Sequence, residues 1–279
     1  MAQALELYEQ KILKDEEFPI QLSMDRAWKK GRYFSLHWHE HIELHYVVSG
    51  KTAIKLDQEE FAARKGDLVV VNSNVLHEGF CDGTLMEALV VIFEMEDFSK
   101  ELADKSIIFH PLIEQDKEIG RIMLRLYEEN KRRQLGYRLA CKGALLELIT
   151  YLIRHYAQET LSDSDSMRRR KKLERLNTVL QYIDGHYTEP LNNRELADLI
   201  HLSEDRFNHL FKESMGMAPL QYINEMRLKK AMRLLKNGEL LAVEVAAAVG
   251  FSDYNNFGRM FRRYYGCTPM EIRENSRIV

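Results

Sequence analysis

At 279 residues, 45% of them hydrophobic, the chain can bury two ordinary domain cores, and it holds no uninterrupted apolar run of the roughly 18 residues that a membrane span needs. Its three cysteines, Cys81, Cys141 and Cys267, fall in no CxxC pattern, which argues against a disulfide framework or a cysteine zinc knuckle. The net charge of -3 conceals a change of sign: from Arg168 onward there are 19 Lys and Arg against 14 Asp and Glu, leaving 21 against 29 before it, which suits a C-terminal part that meets a polyanion.

The first ten residues carry acids where a secretion signal has a basic cluster and an apolar stretch, so the expected location is the cytoplasm. From Gly31 to Phe93, short β-branched runs alternate with turn residues: ELHYVVSG, KTAIKLDQ, GDLVVVNSN and LMEALVVIFE. That pattern predicts an antiparallel barrel or sandwich. Within it, His37 and His39 stand two apart and Glu43 follows four later, so three metal-ligating side chains lie close together. A turn is expected just after His39, which takes His41 out of register; His41 and His45 read as surface or internally satisfied histidines, and Trp38 and Tyr46 as core.

Between Leu112 and Tyr156 the apolar period becomes helical. Ile119, Ile122, Met123 and Leu126 form one stripe, and Ala144, Leu145, Leu148, Ile149 and Leu152 another, with a break at Gln134, Leu135 and Gly136. The pair either covers the barrel or makes a dimer seam, and dimerisation is the favoured reading. A Ser- and Asp-rich stretch then reads as a linker before an all-helical remainder.

One pattern occurs twice in that remainder, at Leu196 to Ile223 and at Val245 to Ile272. Each copy has a small Ala where two helices cross, a turn at His201 or Gly250, a Ser read as a helix N-cap (Ser203, Ser252), and an apolar stripe. The stripes are Phe207, Leu210 and Phe211, and Phe257, Met260 and Phe261. The opposite faces are thereby assigned: Asp205, Asn208, His209 and Lys212 in the first copy; Asn255, Gly258, Arg259 and Arg262 in the second, flanked by Tyr254, Asn256 and Arg263. Asn, Lys and Arg there can pair with base edges or phosphates, and Asp205 can accept from a cytosine amine. On the helix between the copies, Arg227 and Arg233 read as ion-paired structural residues, Lys229 and Lys230 as solvated, and Tyr222 as core.

The tandem motif resembles the DNA-binding domain of the AraC/XylS family of bacterial transcription regulators, in which two helix-turn-helix units joined by a central helix, here Leu220 to Leu235, enter successive major grooves. Gly31, His37, His39, Glu43 and Gly50 likewise match the spacing of the first cupin motif. Gly66 and His77 match part of the second, in which Asn72 and Asn74 stand where Pro and Gly are expected. By that resemblance His37, His39, Glu43 and His77 converge inside the barrel. They either hold a divalent transition metal or hydrogen-bond an organic effector, such as a sugar, with no cofactor required.

The expected fold class is therefore α+β: a cupin-like β-barrel (about 18–93) and a helical pair (about 112–157) in an effector-binding and dimerisation domain over 1–160, a linker over 161–172, and an all-α domain of two tandem helix-turn-helix units over 173–279. The expected function is effector-controlled, sequence-specific DNA binding by a homodimer that is not an enzyme, with double-stranded DNA and a small molecule as partners, and RNA polymerase if it activates. A metal-dependent cupin enzyme with a fused helical domain is the alternative.

Overall fold

The structure is a computed structural model that describes residues 7–10, 13, 15, 17–99, 102 and 106–276. The chain divides into two compact units, Leu7–Glu174 and Arg175–Val279.

In the first unit the strands are β1 (Ile20–Ala27), β2 (Gly31–His37), β3 (Ile42–Ser49), β4 (Lys51–Leu56), β5 (Glu59–Arg64), β6 (Leu68–Val71), β7 (His77–Cys81), β8 (Met86–Phe93), β9 (Ser106–Phe109), β10 (Leu112–Ile113) and β11 (Ala157–Leu161). They pair antiparallel in a five-stranded sheet, β1-β8-β3-β6-β10, a four-stranded sheet, β2-β7-β4-β5, and a two-stranded ribbon, β11-β9. The two larger sheets enclose one apolar cluster that includes Val47, Ile54, Leu56, Val69 and Val71.

Strand parity gives β3 two different buried faces. Glu43, His45 and Val47 alternate with Leu44 and Tyr46, and all five are buried. Val47 joins the inter-sheet cluster, whereas Leu44 and Tyr46 join a second core with Ile119, Ile122, Met123, Leu145 and Leu148 of the helices α1 (Lys117–Arg132) and α2 (Tyr137–Tyr156). A sheet covered on both sides reads as continuous apolar runs, which is why LVVV and ALVVIF carry no polar face. Contact is close at Gly120, where a Cβ would stand 2.6 Å from the Tyr46 hydroxyl.

Helix α1 starts at Lys117, five residues later than the periodicity suggests, because Leu112 and Ile113 pair with Val69 and Leu68 as β10. Its N-cap is Asp116, whose carboxylate accepts from the Glu118 and Ile119 amides and from the hydroxyls of Tyr151 and Tyr156 on α2. The expected break between the helices is present: Arg133 (φ 48°) and Gly136 (φ 88°) are left-handed.

The stretch 161–172 is a correction. It is no irregular linker, since β11 ends at Leu161 and helix α3 runs Asp163–His186. Ser162 Oγ accepts from the Asp165 amide at 3.2 Å, and Asp163 and Asp165 fall in the first turn, where the helix dipole favours carboxylates. Acidic composition had the look of a linker and is a helix start.

The second unit is all helical: the C-terminal half of α3, then α4 (Asn193–Asp198), α5 (Glu204–Met215), α6 (Pro219–Asn237), α7 (Ala242–Ala248), α8 (Tyr254–Tyr265) and α9 (Pro269–Ser276). The repeat is structural, with α4–α5 and α7–α8 as the two copies and α6 between them. Phe207, Phe211, Phe257 and Phe261 are fully buried, while Leu210 and Met260 are half-buried. Ala197 and Ala246 are buried where the helices cross.

Candidate functional site

In the barrel, β2 and β7 pair so that His37 lies opposite His77 in the four-stranded sheet. Glu43 comes from β3 in the facing sheet, and His39 from the turn between β2 and β3. One potential ligand atom from each of the four lies within 4.8 Å of all the others. His39, Glu43 and His77 are buried and His37 is half-buried.

The three imidazoles are oriented alike. His37 Nδ1–H donates to the Ser35 carbonyl at 2.7 Å, His39 Nδ1–H to the His41 carbonyl at 3.2 Å, and His77 Nδ1–H to the Val75 carbonyl at 2.9 Å. A carbonyl can only accept, so each Nδ1 bears the proton; the Nε2 atoms of His39 and His77 turn to the centre, while His37 Nε2 is met by Glu9 Oε2 at 2.8 Å. His39 Nε2 is 2.9 Å from Glu43 Oε2. His77 Nε2 is 3.7 Å away, too far for a hydrogen bond, and has no partner among the described residues.

Burial pushes the His77 pKa down to about 4, against a weaker pull from Glu43, so its ring is neutral near pH 7. Burial also acts to raise Glu43, but His45, His39 and His77 outweigh it and hold the carboxyl well below its usual range. Three imidazoles fixed through Nδ1 and one carboxylate, with ligand atoms within 4.8 Å of one another, form a donor set that fits a divalent transition metal.

Two residues at this centre lie outside the sequence assignment. His45, read as surface or self-satisfied, is buried with Nε2 2.8 Å from Glu43 Oε1; its odd parity with Glu43 was the available signal. Glu9 carries no sequence signal. The segment around Tyr8 runs beside Trp38, which places Glu9 Oε2 2.8 Å from His37 Nε2. Burial acts to lower the His37 pKa, but the hydrogen bonds to Glu9 and the Ser35 carbonyl and the charges of Glu9 and Glu43 together outweigh it, so the net shift is upward. His41 follows the internally satisfied reading: it is buried and pairs with Glu94 at 2.8 Å. Trp38 and Tyr46 are buried, as expected of core residues.

In the helical unit, His201 takes φ 55° and Gly250 φ 89°, so both turns are left-handed. Ser203 caps α5 through the Arg206 amide, at 3.4 Å. Ser252 does not cap α8. Asp253 does, accepting from the Asn255 amide at 2.8 Å, because the second copy has one more residue between Ser and Phe and the cap stays four residues ahead of the buried ring.

Asp205, His209 and Lys212 are exposed on α5, with His209 3.7 Å from Glu213, whereas Asn208 is half-buried and its Oδ1 has no hydrogen-bond partner among the described residues. On α8, Tyr254, Asn255, Asn256, Arg259, Arg262 and Arg263 are all exposed. Arg227, expected to be ion-paired, has no ion pair among the described residues: it donates to the Tyr187 and Glu189 carbonyls at 2.7 Å each and lies over the Phe251 ring. Lys230 is not merely solvated, since it pairs with Asp184 at 2.9 Å. Tyr222 is half-buried.

No helix among the described residues is long and apolar enough to cross a membrane. Residues 26–149 match the AraC-like ligand binding domain family, and residues 196–275 match a helix-turn-helix domain family. The HTH-type transcriptional activator RhaS of Escherichia coli O1:K1 is 30% identical over 165 residues, 59% of this chain and 55% of that protein. The chain thus spans about half the length of the curated relatives it matches. Among solved structures, a transcriptional regulator with an AraC-type DNA-binding domain from Chromobacterium violaceum is 28% identical, covering 37% of this chain and 93% of that one, with a TM-score of 0.35. Fatty-acid-bound ToxT from Vibrio cholerae is 12% identical over 90% of this chain and 94% of that one, with a TM-score of 0.39. The barrel unit is thus similar to AraC-like ligand binding domains and the helical unit to helix-turn-helix domains.

Proposed function

We propose that the protein is a sequence-specific DNA-binding transcriptional regulator, working in the cytoplasm under the control of an effector held in its barrel. The observation that carries this reading is the duplicated helix-turn-helix scaffold, in which α8 presents Arg259, Arg262 and Arg263 to solvent on the side away from Phe257 and Phe261. Neutralising phosphates with such side chains releases counterions, so binding weakens steeply as salt rises. RhaS is a transcriptional activator by name, which favours regulation of transcription over catalysis for this chain as well. The test is a mobility shift of the full chain on the DNA upstream of its own gene, from about 50 to 200 mM salt. Retardation that does not change over that range removes the electrostatic basis of the proposal, and metal-dependent turnover without DNA binding supports the enzyme alternative.

The effector site is the centre of His37, His39, Glu43 and His77. Where a divalent transition metal is the occupant, these four hold it, and it supplies positive charge to a buried carboxylate while tying β2, β3 and β7 together. An organic effector would instead hydrogen-bond the same Nε2 atoms. Elemental analysis of the purified protein and of a His39→Ala, His77→Ala double variant separates the two: a stoichiometric ion lost in the variant assigns the metal, and an ion retained there rejects this centre as its site.

The working form is a homodimer joined through α1 and α2, whose outward surface exposes Leu124, Leu139 and Leu146 although the opposite stripes are fully buried. Sedimentation of a Leu139→Lys, Leu146→Lys variant should give monomers; an unchanged dimer places the seam elsewhere. Contact with RNA polymerase belongs to this reading if the protein activates.

A further inference from the structure

A cavity of about 390 Å³ opens beside the first turns of α3, outside the imidazole centre. Its walls differ in charge. On the barrel side stand Glu40, in the turn after β2, and Glu94 and Glu96, after β8; on the helix side stand Arg169 and Arg170. Ile107 and Ile108 of β9, with Met167 of α3, supply an apolar surface between them.

The two walls meet at one ion pair, between Arg170 and Glu40, and the other charges that face each other across the cavity are not paired with one another among the described residues. Arg170 reaches Glu40 at 3.3 Å but is closer to Glu174, at 3.0 Å, and Arg169 meets Asp57 only at 3.7 Å, the outer limit of an ion pair. Glu94 accepts from His41 at 2.8 Å; burial first, and then the carboxylates of Asp97, Glu96 and Glu40, push its pKa up.

A third group is independent of the charges. Asn74 lines the cavity and is only 9% exposed, and its Oδ1 is buried with no hydrogen-bond partner among the described residues. Its backbone is engaged, donating to the His39 carbonyl at 2.9 Å with φ 58°. A buried amide oxygen without a donor is costly, and a ligand N–H is the group that would satisfy it.

The geometry points to a site for a small zwitterion, an amino acid with an apolar side chain, whose ammonium group meets Glu94, Glu96 and Asn74 Oδ1 while its carboxylate meets Arg169 and Arg170. The volume suits a molecule of that size. Occupancy would fasten the start of α3 to the barrel, and α3 continues into the helical unit, so this second site has a route to the DNA-binding helices that does not pass through the imidazole centre. A ligand acts along that route only by binding one arrangement of α3 more tightly than another.

The test is calorimetric titration of the full chain with leucine, methionine and phenylalanine, each beside its amide, which lacks the carboxylate, and its des-amino acid, which lacks the ammonium. At least one of the three amino acids should bind one to one, with both of its single-charge analogues about tenfold weaker or more. Glu94→Gln and Arg169→Gln should each lower that affinity about tenfold, and so should Asn74→Gly, which removes the amide while tolerating the left-handed φ. Unchanged melting temperatures would show that the variants are folded. The His39→Ala, His77→Ala variant should bind as the wild type does, which separates this site from the barrel centre, and the ligand-free DNA shift tests the regulatory reading separately. Equal affinity for an amino acid and its amide, affinity unchanged in Glu94→Gln and Asn74→Gly, or no heat from any of the three overturns the assignment.

Discussion

The two helix-turn-helix units share a skeleton and little else. Each has a buried Ala at the helix crossing, a left-handed turn, a cap four residues before a buried Phe, and a second buried Phe one helical turn on. Their outer faces are unlike in charge: α5 carries Glu204, Asp205 and Glu213 against Arg206 and Lys212, whereas α8 carries Arg259, Arg262 and Arg263 and no acid. Packing constrains the positions that touch the core, and solvent leaves the others free to diverge towards whatever each unit meets. On the proposed reading, α8 would supply most of the electrostatic attraction to DNA, and α5 shape and discrimination.

The shared skeleton is best broken at its rings. Phe207→Ala and Phe257→Ala should each destabilise the helical unit by about 3 to 5 kcal/mol, because both rings are fully buried. Chemical denaturation followed by circular dichroism would read this, with the barrel transition unmoved. Equal stability of wild type and variant would remove the claim that these rings are core.

The turns separate the copies more finely. Gly250→Ala should cost about 2 to 3 kcal/mol, since a Cβ there meets the Thr188 backbone at 2.8 Å and the backbone has φ 89°. His201→Gly should stay within about 1 kcal/mol, because it keeps the left-handed turn and removes only a side chain that is already exposed. Similar losses from both changes would mean that the two turns are under the same constraint.

The outer faces are distinguished by binding. Arg259→Ala should cost about 1 to 3 kcal/mol at the preferred site and relax base preference at one position, whereas Arg263→Ala should weaken all sequences alike and lower the salt slope by about 1. Asn208→Ala should relax preference in the other half of the site with no change of salt slope. Quantitative shifts on randomised operators would measure all three, and a uniform loss in each would end the division between base reader and phosphate anchor.

The smallest effect tests the shifted cap. Asp253→Ala should destabilise α8 by about 1 kcal/mol and Ser252→Ala by a few tenths at most, because only the Asp253 carboxylate accepts from the helix amides. The reverse order would restore Ser252 as the cap and make the repeat regular.

That one-residue shift marks a limit of reading by alignment. Placing Ser203 over Ser252 matches residue types, but a cap is chosen by its distance from the buried ring, and only the folded helix shows that Asp253 stands at that distance. The linker shows the same limit. Ser162, Asp163 and Asp165 suit both a flexible polar segment and a helix N-terminus, and the choice depends on whether the residues that follow have a core to cover. Leu173, Leu176, Val179 and Leu180 do become buried, and the helix extends back from them.

In the barrel, spacing brought His37, His39, Glu43 and His77 into one expectation, because side chains two apart on a strand share a face and motif intervals carry register. What spacing could not provide was Glu9, which reaches His37 through a bridge at Trp38, or the carbonyls of Ser35, His41 and Val75 that orient the rings. The same holds for the cavity beside α3, whose walls come from residues as far apart as Glu40 and Arg170.

Periodicity, glycine placement and the duplicated pattern are local properties of the chain, and they alone were enough to determine two units, one of strands and helices and one of paired helices. Which face of β3 meets the second sheet and which meets α1 and α2, where the helices begin, and which charges are left without partners were decided only by tertiary structure. Those outcomes depend on contacts between segments distant in sequence, where burial sets the cost of every unpaired polar group.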